Sequence, residues 1–372
     1  MSDSNIAFRL AGMGDIMLDR KVGQRFIECP SDFELTAING ILKNYDLIFA
    51  NLETTISTRG APYPKQDPHV AFRSHPDTLD VLKALGINVV SLANNHMLDY
   101  GVDALADTIA HLDAAGIKHV GAGCNYKEAN QPLLLEFNGQ KVAMLAYVFI
   151  YSSSTRMAAA RYPGVSDHRI SRILPQIKKL KKDGYKVIIS VHWGMEYSFY
   201  PLPYLSKQAR SMIDAGASLV LGHGPHYPQG IENYRNSNIV YSMGNFIFDE
   251  PYYFAKRSFI YGADMGVSGN ILGHQIYPVL LPDHVPFLAE GPDKLRLETM
   301  INSLDLIYRK KSERFWKKIS TDYFFDIVNR VVRMRSFKFL FVPPKSFYTQ
   351  LSLWELSNKV TRIFRSTVNN RR

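Results

Sequence analysis

The chain has 372 residues, 46% hydrophobic and 21% charged, with 24 glycines and 19 prolines. Composition of this kind excludes collagen-like, low-complexity and disordered classes, and supplies enough apolar material for two domains or one large domain with an extension. Two cysteines, Cys29 and Cys124, are too few for a disulfide framework or a cysteine zinc site. No apolar run reaches the roughly eighteen residues of a spanning helix, and the first residues lack the basic and apolar regions of a secretory signal. The expectation is a reduced, cytoplasmic protein. Its formal charge of +10 suggests nucleic acid until it is divided along the chain. Residues 301–372 carry 16 Lys/Arg against 5 Asp/Glu, whereas the first 300 carry 28 against 29. The tail is basic and the body is neutral, so each needs its own explanation.

In chain order, apolar runs predict strands at Phe8–Gly14, Asp46–Asn51, Asn88–Leu92, Leu133–Glu136, Val142–Val148, Lys186–His192, Ala217–Leu221 and Ile239–Met243. Most are apolar on both faces, as strands covered on two sides should be. Between them, amphipathic stretches predict helices at Pro76–Leu85, Val102–Ala115, Asp167–Asp183 (with Pro175 a kink) and Leu205–Ala215, each stopped by a glycine. Alternation at this spacing argues for an α/β domain with helices packed over sheet. Residues 249–300 are rich in proline and aromatic side chains and read as loops with strands covering that domain. The pattern predicts one domain over 1–295 and a basic, mainly helical extension over 296–372.

Five segments place polar side chains just after apolar strands: Gly14-Asp15, Asn51-Leu52-Glu53, Asn94-Asn95-His96, His192-Trp193-Gly194 and Gly222-His223-Gly224-Pro225-His226. Each alone has an ordinary reading, Asp15 as a helix cap and His192 as a satisfied core histidine among them. Together, carboxylate, amide and imidazole at successive strand ends would converge on one sheet edge, where open α/β folds bind ligands. Such a donor set suits one or two divalent ions of Zn, Fe or Mn.

The order and spacing of these segments resemble the CapA-type capsule-synthesis proteins (poly-γ-glutamate capsule biosynthesis) of the calcineurin-like metallophosphoesterase superfamily. The resemblance runs over about residues 7–249 and includes Leu92-Ala93-Asn94-Asn95-His96-Met97-Leu98-Asp99-Tyr100-Gly101, His192-Trp193-Gly194-Met195-Glu196-Tyr197 and Tyr241-Ser242-Met243-Gly244-Asn245-Phe246. It implies a four-layer α/β/β/α metallophosphoesterase-like sandwich with a two-metal site. Asp15 and His226 would bind the first metal, Glu53 would bridge, and Asn95, His192 and His223 would bind the second. His96 would be the general acid, oriented by Asp99. The chain departs from the superfamily at one point: the histidine of the usual Asp-x-His motif is Met17, and a thioether is a poor ligand for a hard cation. That leaves the first metal fewer ligands and puts simple phosphomonoesterase activity in question.

Arg20 and Arg59 are expected to contact an anionic substrate, with Trp193 and Tyr197 walling the pocket. The resulting expectation is a metal-dependent hydrolase or transferase acting on an anionic capsule or envelope polymer, or a phosphoester. Two rivals are a non-catalytic accessory subunit of a polymer-synthesis complex and a generic cytosolic phosphoesterase. Residues 301–372 interleave Arg/Lys with aromatics, as at Phe315-Trp316-Lys317-Lys318, and read either as a helical extension packed on the body or as a peripheral contact with the inner membrane surface. No recognised nucleic-acid motif accompanies the charge, and the oligomeric state is left open.

Overall fold

The computed structural model describes residues 5–64, 66–150 and 152–310, with backbone only for residues 305–310. The expected strands pair into two sheets. One runs in the order Phe287–Leu288, Ile271–Leu280, Arg257–Gly266, Ile6–Ile16, Leu47–Leu52, Val89–Ser91 and Lys118–Val120, with Asn245–Ile247 pairing the end of Ile6–Ile16. The other runs Ile231–Tyr234, Ser237–Val240, Ala217–His223, Lys186–His192, Gln140–Val148 and Leu133–Phe137. The middle strands of each sheet are parallel; antiparallel strands close both edges of the second sheet and one edge of the first, whose other edge, Lys118–Val120, is parallel.

Side-chain alternation explains the layering. Leu47 and Phe49 point between the sheets, whereas Ile48 and Ala50 point to the opposite face and its helices. In the second sheet Met144 and Ile188 join the inner layer, and Ala143, Leu145, Val187 and Ile189 join an outer one. Strands apolar at every position are what two covered faces require. Gly101–Ala114 covers one outer face through Leu105 and Leu112; Ile170–Lys182 and Pro203–Asp214 cover the other through Ile173, Ile177, Leu205 and Met212. The result is the expected α/β/β/α order. Each such side chain, fully buried, contributes about 1.5–3 kcal/mol.

Several expectations shift in detail. The strand expected over Ile239–Met243 runs over Ser237–Val240 in the second sheet, and a separate strand, Asn245–Ile247, follows in the first. The chain crosses between sheets at Gly244, whose φ of 76° a side chain would resist. Pro76–Leu85 opens as a 3-10 turn before the α-helix Leu79–Ala84. The aromatic stretch 249–300 holds a long hairpin, Arg257–Gly266 with Ile271–Leu280, that extends the first sheet. The last helix among the described residues, Gly291–Lys310, runs through position 295 and buries Leu297 and Ile301 in the inter-sheet core, so the first compact unit reaches Lys310. The remaining tail, with its expected membrane contact, lies outside the described residues. Among the described residues, no helix is long and apolar enough to cross a membrane.

Candidate metal centre

Because the middle strands of each sheet run parallel, their carboxyl ends form one edge per sheet, and these two edges meet. Asp15 is in register with Asn51 on one neighbour and with Asn245 on the other, while His192 is in register with His223. Contact across the sheets is direct: His223 Nδ1 stands 3.2 Å from Asp15 Oδ1, and the Gly224 N–H donates to Asp15 Oδ2 at 3.2 Å. Gly14 makes the approach possible, since a Cβ there would lie 1.9 Å from the Gly244 carbonyl oxygen.

Glu53 occupies the middle, 1% exposed. Its Oε1 faces Nε2 of His96, His192 and His226 at 3.6, 3.8 and 3.9 Å. These separations exceed hydrogen-bond length and suit groups arranged around a shared ion. Asp15, Glu53 and His192 each offer one ligand atom, all within 4.8 Å of one another. The Asn51 amide nitrogen has two hydrogens but three acceptors: Asp15 Oδ1 at 2.9 Å, His192 Nδ1 at 3.2 Å and Glu53 Oε2 at 3.4 Å. Asn95 Oδ1 and His223 Nε2 are buried without a hydrogen-bond partner. Buried acceptors left without a donor are costly, and a cation bound among them would complete them.

The electrostatics follow from the same crowding. Burial pushes the Asp15 carboxyl up, but the neighbouring His223, His192 and His226 outweigh it and hold the group at about 2. Glu53 lies well above the ordinary range, chiefly through burial and then through the charges of Asp15, Glu196, Glu250 and Asp99. Burial lowers His192 to about 3 against the pull of Asp15. A neutral imidazole at physiological pH is the form that ligates metals.

The remaining residues orient these groups. His226, at a φ of 59°, places Nδ1 2.8 Å from Asn245 Oδ1, an acceptor that fixes the N–H and leaves Nε2 toward Glu53. His96 Nδ1 lies 2.7 Å from Asp99 Oδ2, and the Asn95 amide nitrogen lies 3.0 Å from His96 Nε2. Phe72 packs on the His96 ring at 4.3 Å between centroids. The fold therefore gathers Asp15, Glu53, Asn95, His96, Asp99, His192, His223 and His226 around one place.

The four residues expected to meet substrate are scattered. Tyr197 lies beside His226, with ring centroids 5.8 Å apart. Arg20 pairs with Asp249 and covers Phe72. Arg59 is more than half exposed and grips Asp107, its Nε donating at 2.8 Å. Trp193 is fully buried, with its indole N–H on the Tyr241 carbonyl, so it packs the core instead of walling a cavity. Met17 is also buried, its sulfur accepting the Asp19 N–H at 3.1 Å. Three contributors lay beyond the sequence reading. Asn245 follows the same pattern of a polar residue at a buried strand end, and that pattern could have found it. Ser154, which donates to Asp99 at 2.5 Å, and Glu250 sit on loops where no spacing marks them.

A two-sheet α/β sandwich with an acceptor-rich pocket at the shared carboxyl edge defines the class. The sequence pattern of the bacterial capsule synthesis protein PGA_cap matches residues 9–250, and the chain belongs to that family. The capsule biosynthesis protein CapA of Bacillus anthracis is 34% identical over 251 residues, 66% of this chain and 61% of the relative. The PGA biosynthesis protein CapA of Bacillus subtilis is 29% identical over 317 residues, 85% and 81% of the two chains. A protein of Mycobacterium tuberculosis called a probable polyglutamine synthesis accessory protein is 34% identical over 251 residues, 63% and 66%. The match thus spans less than two thirds of the first and third relatives. Among solved structures, a 5′-nucleotidase precursor from Thermus thermophilus aligns over 79% of this chain and 57% of its own with a TM-score of 0.45 and 12% identity.

Proposed function

We propose that this protein is a metal-dependent hydrolase or transferase acting on an anionic capsule or envelope polymer, of the poly-γ-glutamate kind, or on its phosphoester precursor. One observation carries the reading: Glu53 Oε1 faces three imidazole nitrogens at 3.6–3.9 Å, beside buried amide and imidazole atoms that have no partner. Asp15, Glu53, Asn95, His192, His223 and His226 would hold one or two divalent ions of Mn, Fe or Zn. Bound there, a divalent cation supplies Lewis-acid stabilisation of charge developing on a phosphoryl or carbonyl oxygen.

The chain's own groups do the rest. Asp99 holds the proton on Nδ1 of His96, so Nε2 is the atom that takes up a proton and, from the imidazolium so formed, passes it to a leaving group. Phe72 keeps that ring in place, and Tyr197, half-buried beside His226, shields one side from water. Membership of the capsule synthesis family supports the polymer class of substrate.

A second reading, a non-catalytic accessory subunit, draws on Met17, whose sulfur is engaged away from the ligand set, and on the accessory role in the name of the mycobacterial relative. Turnover separates the two. Wild type is expected to cleave a model phosphodiester or poly-γ-glutamate, with His96→Ala inactive yet folded and metal-loaded. Equal rates for the two proteins, or no turnover in either, would favour the accessory reading. The generic phosphoesterase alternative predicts equal rates on unrelated phosphoesters. A peripheral attachment to the inner membrane through 301–372 is part of the proposal, tested by fractionating protein truncated after residue 310, which spares the packed helix Gly291–Lys310.

A further inference from the structure

Beside the His96 end of the centre, a cleft of about 420 Å³ is lined by Asp19, Arg20, Lys21, Gln24, Arg73 and His75, among others. That volume falls in the range of ~300–1,000 Å³ typical of ligand sites. Two side-chain contacts lead from its lining toward the centre. The Arg20 guanidinium lies 4.7 Å from the Phe72 ring centroid, and Phe72 in turn packs on His96 at 4.3 Å.

The cations in this cleft differ in how they are paired. Arg9, Arg20, Arg25 and Arg59 each hold a carboxylate. Arg73 holds none among the described residues. Its Nη1 donates to the carbonyls of Arg59 and Gly60 at 3.0 Å each, and its guanidinium lies 4.2 Å over the Tyr100 ring. The group is thus fixed in place, with the N–H groups of Nε and Nη2 left without a protein acceptor among the described residues. Lys21 is exposed and has no carboxylate within ion-pair distance among the described residues. The one carboxylate in the lining, Asp19, has both oxygens occupied, by the backbone N–H groups of Arg20 at 2.8 Å and Arg73 at 2.7 Å. In a larger cavity of about 600 Å³ beside helix Ile170–Lys182 the guanidinium is already taken, because Arg172 binds Asp167 and Tyr126.

We infer that this cleft is a binding track for the polycarboxylate chain of the substrate, with Arg73 and Lys21 reading successive carboxylates while one unit of the chain lies in the metal centre. This rests on the proposed function and adds to it where the uncleaved chain lies. A fixed guanidinium with open N–H groups suits a planar carboxylate, and a flexible lysine beside it tolerates variation along a repeating polymer.

The test is equilibrium binding of a short fluorescein-labelled γ-linked glutamate oligomer to the full chain, followed by anisotropy. Because Arg73 also ties down two carbonyls, the exposed Lys21 and His75 carry the substitutions. Lys21→Glu with His75→Glu is expected to weaken binding by roughly tenfold, with an unchanged melting temperature and diminished salt dependence. His223→Ala, in the centre, should lose metal and turnover while keeping most of the oligomer affinity, because only one unit of the chain lies there. Wild-type affinity in the Lys21/His75 variant would overturn the track, as would displacement of the oligomer by equimolar inorganic phosphate. Wild type that cleaves a model phosphodiester but binds no oligomer would overturn the track and leave the metal centre standing.

Discussion

Nδ1 of His96 stands 2.7 Å from Oδ2 of Asp99, a carboxylate that also accepts the Phe72 N–H at 3.0 Å and the Ser154 hydroxyl at 2.5 Å. Three donors from three segments converge on one fully buried acid, so the orientation of the imidazole is set by the fold instead of by substrate. The acid sits three residues beyond the ring it orients, and Ser154 arrives from the loop that follows strand Gln140–Val148.

Asp99→Asn keeps the size of the side chain but removes the charge that fixes the His96 tautomer. Turnover should fall by about 10²–10⁴, the usual contribution of a positioned proton donor, with metal content unchanged. Ser154→Ala removes one of three supports and should cost up to about tenfold. Kinetics paired with elemental analysis check both. Wild-type turnover in Asp99→Asn would remove His96 from the proton-donor role.

Acid should unfold the metal-free protein through its centre. The folded His192 titrates near 3, far below the ordinary 6.5, because burial disfavours the imidazolium. Between those values the unfolded chain binds a proton that the native state does not, so stability rises with pH across that window and is lost as pH falls through it. At 1.36 kcal/mol per pKa unit the loss amounts to several kcal/mol. Asp15, held at about 2 against 3.8, adds a smaller loss at still lower pH. Glu53, raised by burial, works the other way over part of this window, so the difference is diagnostic: in chelator, urea midpoints of wild type should drop more from pH 6.5 to pH 4 than those of His192→Asn. Parallel curves would show that His192 is not the group responsible.

Glycine at position 14 is a steric requirement of the crossing between sheets. Gly14→Ala would set a Cβ 1.9 Å from the Gly244 carbonyl oxygen, forcing apart the strand ends that carry Asp15 and Asn245. A loss of about 3 kcal/mol or more, or failure to fold, is expected. Gly40, inside helix Thr36–Leu42 with nothing within 4 Å of its would-be Cβ, is the control. Gly40→Ala should be neutral or stabilise by up to about 1 kcal/mol. Thermal melts of the two variants decide it; equal melting temperatures would contradict the steric account.

The parts legible in the sequence were those governed by local pattern. Lys186–His192 is a strand over the same residues in reading and structure, because an apolar run bounded by polar ends has one comfortable conformation between two covered faces. Helices stopped by Gly116 and Gly184 ended where expected, since both take a positive φ. The short helices Arg20–Glu28 and Thr36–Leu42 escaped notice: the first is mostly polar and exposed, and the second spans only seven residues. At the centre, residues on strand ends announced themselves as polar groups after apolar runs. Ser154 and Glu250 did not, because their partners lie across the fold and no local spacing encodes them. Trp193 misled for the opposite reason: adjacency to His192 in sequence sends its side chain the other way from a strand end, into the core.

The most direct measurement is the metal content of purified protein, read by elemental analysis together with an anomalous-scattering map of crystals. One or two divalent ions should appear within coordination distance of Glu53, Asp15, His192 and His223, and His223→Ala or Asn95→Ala should lower the occupancy. A protein that takes up no divalent ion, or variants that bind it as wild type does, would contradict the account at its root.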